Sequence, residues 1–130
     1  MLSGKQPQIL PNMTVHCSRN NLELQLRHVE SGITYLEAMD SNKACYVNIW
    51  ENGCSRISCS WNHAIFLCLR GLYKYLPCHE AAHLARVIMD QCVQTSDHRV
   101  AKLRRTTFKG GSVKWDSIYG ATVSIRRQTC

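Results

Sequence analysis

The chain has 130 residues, 45% of them hydrophobic, which leaves room for one domain with a modest core and excludes a wholly disordered chain. It carries 16 Lys and Arg against 9 Asp and Glu, for a formal net charge of +7. No apolar run reaches the length of a membrane span, and residues 1–7 lack the apolar segment of a signal peptide, so the sequence reads as a mature form.

Residues 1–16 are polar with Pro7 and Pro11, and read as a flexible arm before a single domain at 17–130. Leu22, Leu24 and Leu26 alternate with Glu23, Gln25 and Arg27, the period of a half-buried strand. Ser31-Gly32 punctuates, and Ile33 to Asp40 reads as a short helix. Cys45, Val47 and Ile49 alternate with Tyr46, Asn48 and Trp50 in a second strand, which stops at the turn former Asn52-Gly53. Arg56 to Trp61 reads as its partner strand, and His63 to Leu69 as a buried strand. Pro77-Cys78 opens a helix to about Cys92, with Glu80 near its positive N-terminal end. Ala81, Leu84, Ala85, Ile88 and Cys92 recur at three- and four-residue steps as its buried stripe, and His79, His83, Arg86 and Asp90 lie on a polar face. After a basic loop, Gly110-Gly111 punctuates, and Tyr119 to Arg126 alternates as a last strand with Val123 and Ile125 inward. Strands and one or two helices without βαβ alternation predict an α+β fold: an antiparallel sheet with helices packed on one face.

The cysteines are Cys17, Cys45, Cys54, Cys59, Cys68, Cys78, Cys92 and Cys130. Their spacing contains no CxxC and no repeated Cys/His pair of the zinc-finger kind, so they read as a framework of up to four disulfides in a secreted protein, with the pairing open. Asn12-Met13-Thr14 is a glycosylation sequon, usable in a secretory pathway.

Charge is lopsided. Residues 97–130 hold 8 Lys and Arg against 2 Asp and Glu, whereas residues 1–96 hold 8 against 7. This basic third suits an anionic partner or surface. Arg99, Lys102, Arg104, Arg105, Lys109 and Lys114, with the nearby aromatic residues Phe108 and Trp115, are the candidate binding residues. Aromatic residues are too sparsely interleaved for a nucleic-acid reader, and none is expected as partner.

His79-Glu80-Ala81-Ala82-His83 matches HExxH, in which two histidines one helical turn apart hold zinc and the glutamate accepts a proton from the metal-bound water. Asp116-Ser117-Ile118-Tyr119-Gly120 resembles the second motif of the deuterolysin-like fungal metallopeptidases. That resemblance implies His79, His83 and Asp116 as ligands and Glu80 as general base. Val113-Lys114 stands where the family has Gly-Thr, and the motif sits in the first helical turn. The reading carried forward is a solvated helix face: no catalytic residue, no metal and no cofactor. No GxSxG nucleophile elbow or phosphate-cradling glycine loop is present.

The segment Ser58-Cys59-Ser60-Trp61-Asn62-His63-Ala64-Ile65, a helix bracketed by Cys78 and Cys92, the glycine pair and a final strand closing on Cys130 resemble small secreted proteins of plant-associated fungi. The order is similar to the smut-virus killer-toxin fold and to the disulfide-rich LARS avirulence effectors of Leptosphaeria and related fungi. The resemblance covers about the last 70 residues and implies an effector that acts on plant immunity, outside host cells or after uptake, by binding a host protein or immune receptor. It brings no active site with it, and the chain is expected to be a monomer.

Overall fold

In Ala121–Arg127, Ala121, Val123 and Ile125 are buried while Thr122 and Ser124 are only half-buried, so one face of this strand lies against a core and the other toward solvent. The computed structural model describes residues 12–96, 105–117 and 119–130. In chain order the elements are β1 (Met13–Cys17), α1 (Leu26–Glu37), β2 (Ala44–Tyr46), a 3-10 turn (Ile49–Glu51), β3 (Cys54–Ser60), β4 (His63–Cys68), β5 (Tyr75–Pro77), α2 (Cys78–Cys92), β6 (Gln94–Ser96), β7 (Arg105–Thr107), β8 (Gly111–Trp115) and β9 (Ala121–Arg127). The expected α+β class holds. Five strands form an antiparallel sheet in the order β1-β8-β9-β4-β3, and β2-β5 and β6-β7 form two small antiparallel pairs.

Both helices cover one face of the large sheet. α1 lies over β3 and β4, α2 over β1, β8 and β9, and the helices touch each other. Val29, Ile33 and Leu36 of α1 meet Leu84, Val87 and Ile88 of α2 in one buried cluster with Ile65, Leu67, Val113, Val123 and Ile125 of the sheet. The stripe expected on α2 is buried in full, with Cys78, Ala82 and Val87 added to it. Arg86 joins the helices on their outer side: its guanidinium donates to both carboxylate oxygens of Glu37 at 2.8 Å and to those of Glu30 at 3.0 and 3.1 Å. These hydrogen bonds, Glu37 foremost, hold Arg86 above the ordinary arginine value.

Several expected boundaries move. Met13–Cys17 is the edge strand β1, paired to β8, so the loose arm does not extend to residue 16. Leu22 to Arg27 is not a strand: Leu22 is exposed, Leu24 is buried, and Leu26 starts α1. Ser31-Gly32 lies inside that helix instead of punctuating it, because the missing side chain lets α1 approach the sheet; a Cβ on Gly32 would lie 2.9 Å from Ser58 Oγ and 3.3 Å from Ile65 Cδ1. The helix expected at 33–40 therefore runs earlier, over Leu26–Glu37. The strand expected at 45–50 gives way after Tyr46 to the 3-10 turn, and Asn52 and Gly53 then take positive φ of 59° and 71°. The β3-β4 hairpin closes through Trp61 and Asn62, also at positive φ, and the buried strand β4 falls where the apolar run predicts it.

All eight cysteines pair, as Cys17–Cys92, Cys45–Cys78, Cys54–Cys68 and Cys59–Cys130. Cys17–Cys92 fastens β1 to the end of α2, and Cys59–Cys130 pins the chain end against β3, where Cys130 N also donates to Asn62 Oδ1 at 3.0 Å.

Candidate binding surface

Two of the disulfides join two surface segments into one covalent ring. Residues 46–53 run from Cys45 to Cys54 and residues 69–77 run from Cys68 to Cys78, while the bonds Cys45–Cys78 and Cys54–Cys68 link their ends. The β2-β5 pairing and the bond from Val47 N to Lys74 O at 2.8 Å hold the segments side by side. On this ring stand Tyr46, Ile49, Trp50, Leu72, Tyr73 and Tyr75, every one of them exposed; Trp50 is 89% and Leu72 94% accessible. The rings of Tyr46 and Tyr75, opposite each other in register, lie 5.5 Å apart. Tyr46, Ile49 and Lys74 line a shallow depression of about 420 Å³ beside them. Large apolar side chains left in water on a covalently closed support mark a docking surface more than a folding device. The alternation of Tyr46 and Trp50 with Cys45 and Val47 signals their outward side. Ile49 escapes that signal because the strand turns into a 3-10 turn beneath it.

The candidate residues of the basic third that the structure describes do not share one exposed patch. Arg99, Lys102 and Arg104 lie outside the described residues, and Arg105 begins β7. Phe108 is 1% exposed and belongs to the core, so it offers no contact surface, which corrects the expectation for it. Its carbonyl accepts from Leu24 N at 2.7 Å, and the side chains of both residues are buried. Trp115 is half-buried against the core, with Nε1 buried and unpaired among the described residues. Lys109 is half-buried, and Lys114 is exposed on the outer sheet face.

The HExxH residues are not assembled as a metal centre. His79 Nε2 donates to Met39 O at 2.6 Å, while Glu80 and His83 are exposed at the start of α2. Asp116 accepts from Arg70 at 3.2 Å and stands 3.9 Å from Lys114 Nζ. No three His, Cys, Asp or Glu side chains among the described residues come close enough to hold a metal ion, so the geometry expected of His79, His83 and Asp116 as joint ligands is not formed.

A further cluster, missed in the sequence, lies where α1 begins. His28 stacks on Trp61 with ring centroids 5.2 Å apart, and the buried His63 lies 5.2 Å from His28. Partial desolvation, then the charge of Arg27 and the neighbouring His63, lower the His28 pKa below its ordinary value.

Comparison with protein-family models, with characterised proteins and with solved structures finds no match. The fold and its four disulfides define an α+β protein built like one that meets an oxidising compartment. No helix among the described residues is long and apolar enough to cross a membrane.

Proposed function

We propose that this is a secreted effector that acts by binding a protein of a plant host, an immune component or receptor, through the aromatic ring closed by Cys45–Cys78 and Cys54–Cys68. The observation that carries the reading is the exposure of Tyr46, Trp50, Leu72 and Tyr75 on that ring. Tyrosine and tryptophan supply large contact area with few rotatable bonds, and a support ordered in advance reduces the ordering cost of association. The fungal origin and the role in immunity rest on the resemblance of the segment from Ser58 onward to small fungal effectors, and secretion rests on the use of every cysteine in a disulfide. Arg99, Lys102, Arg104 and Arg105 remain the proposed second contact segment, steering an anionic partner surface toward the protein.

The test is infiltration of the purified oxidised protein, and separately its expression inside leaf cells, across a panel of host lines. Immune response is the readout. The reading expects a response, or its suppression, that Trp50→Ala together with Tyr75→Ala removes while melting temperature is unchanged. Loss of activity in Glu80→Gln with the aromatic variant fully active would instead favour the zinc peptidase alternative and overturn this one.

A further inference from the structure

The large sheet has a second face, turned away from both helices. On β1, β8 and β9 the register sets out two rows across it, Thr14, Lys114 and Thr122 in one and His16, Ser112 and Ser124 in the next. Arg126 follows Ser124 two residues along β9, on the same face. Neighbouring strands are about 4.8 Å apart and alternate residues about 7 Å apart, so these side chains form a grid some 10 Å wide. Four hydroxyls, an imidazole, an ammonium and a guanidinium occupy it, with no carboxylate among the seven positions. The nearest acid among the described residues is Asp116, beyond the end of β8, which pairs with Arg70 at 3.2 Å and reaches Lys114 at 3.9 Å.

Apart from Lys114, whose Nζ lies 3.9 Å from Asp116, these groups are unengaged among the described residues. Among the described residues the side chains of His16, Ser112 and Ser124 make no hydrogen bond, and the Arg126 guanidinium is held only by stacking 4.1 Å above the Phe66 ring centroid. Stacking leaves its in-plane N–H groups pointing along the surface, as a forked donor for a planar carboxylate. His16, Ser112, Ser124 and Arg126 also line a depression of about 300 Å³. A solvated antiparallel face usually mixes charges of both signs, and this one holds a single sign with hydroxyls between.

We propose that this face binds an acidic polysaccharide of the polyuronate type, at a site separate from the aromatic ring. A polymer with a carboxylate and hydroxyls on successive sugars matches a grid of spaced cations and hydroxyls. Among the described residues this face has no large exposed apolar side chain to enter a bilayer, and the Phe66 ring is capped by Arg126 and closed to base stacking. The cations are too few to favour a densely sulfated chain over a carboxylated one.

The experiment is a calorimetric titration of the oxidised full chain with polygalacturonate oligomers at low and raised salt. Fully methyl-esterified oligomers, heparin, single-stranded DNA and anionic phospholipid vesicles are titrated in parallel. Saturable, salt-weakened binding of polygalacturonate is expected, lost on esterification, weakened about tenfold by Arg126→Glu or Lys114→Glu and unaffected by Trp50→Ala. Should Arg126→Glu disturb the stacking on Phe66 and unfold the sheet, Lys114→Glu and Ser112→Asp carry the same expectation at unchanged melting temperature. The proposal is overturned by absence of binding, by variants that bind like the unaltered protein, or by tighter binding of heparin, DNA or vesicles than of polygalacturonate.

Discussion

His63 Nε2 accepts the backbone N–H of Gln25 at 2.9 Å, and so a side chain of the sheet helps to start α1, whose N-cap residue is Gln25. Gln25 offers no side-chain cap of its own. The other ring nitrogen, Nδ1, lies 2.6 Å from Trp61 O, and because a carbonyl only accepts, the proton sits there. The ring is thereby held in one orientation between helix and hairpin. His63→Phe keeps the ring volume but leaves a helix N–H and a turn carbonyl without partners. It is expected to lower unfolding free energy by about 2 kcal/mol in urea titrations, more than the ~1 kcal/mol of an ordinary lost cap. An unchanged midpoint would show that water replaces the ring without loss.

The same corner gives stability a dependence on pH. His28, stacked on Trp61, faces Arg27 on its own helix and His63 on β4, and Arg127 stands opposite His63 in register. Its folded pKa lies below the ordinary value of 6.5, so the unfolded chain binds the proton more readily. The stabilising contribution is complete above pH 6.5 and is lost as pH falls through the folded value. Melting temperature is expected to fall between pH 7.5 and pH 5 in the unaltered protein, and to fall less in His28→Gln. Equal slopes in the two proteins would place the pH dependence elsewhere.

Gly32 inverts a familiar rule. Glycine inside a helix costs about 1 kcal/mol relative to alanine, so Gly32→Ala in α1 gains on propensity alone. The added Cβ would lie 2.9 Å from Ser58 Oγ and 3.3 Å from Ile65 Cδ1, and both side chains sit in the packed layer between α1 and the sheet. A net loss of about 1–3 kcal/mol is expected, partly relieved by adding Ser58→Ala, which removes the nearest atom. A stabilised single variant would mean that α1 can lift from β3 at little cost.

The sequence made α2, β4 and β9 legible because their apolar spacing was already that of the element and because Pro77 and Asn52-Gly53 punctuate as their chemistry directs. It misled where one residue answers to a distant contact. Leu22, Leu24 and Leu26 carry strand spacing, yet Leu22 is exposed, Leu24 is buried beside Phe108 O, and Leu26 packs at the core's edge as the first residue of α1, while the helical spacing of Val29, Ile33 and Leu36 is hidden by a glycine that reads as a break. Phe108 stands in a basic stretch that suggests surface, and its burial depends on residues far away in the chain. The aromatic ring was half visible: the alternation exposes Tyr46 and Trp50, but only the pairing of the cysteines brings them beside Tyr75.

That ring separates stability from function. In the chain-entropy account the stabilisation from a disulfide grows with the loop it closes, so Cys17–Cys92, spanning 75 residues, contributes about 4.5 kcal/mol and Cys45–Cys78, spanning 33, about 3.7 kcal/mol. Replacing Cys17 and Cys92 by alanine is therefore expected to give the larger drop in urea midpoint. Local order should follow the opposite ranking. Without Cys45–Cys78 the segments 46–53 and 69–77 are still joined through Cys54–Cys68, the short β2-β5 pairing and the backbone bonds Val47 N to Lys74 O and Leu69 N to Gly53 O. Their amide protons should then exchange markedly faster under native conditions, while in the Cys17→Ala/Cys92→Ala protein the same amides keep their protection relative to global unfolding. If the proposed host binding runs through these aromatic residues, it should follow the exchange data and not the urea midpoint, since the bond would then act by holding Tyr46 and Tyr75 together before the partner arrives. Protection in 46–53 and 69–77 that survives opening of Cys45–Cys78 would show that strand pairing alone orders the surface, and the disulfide would then be a stabilising bond like the others.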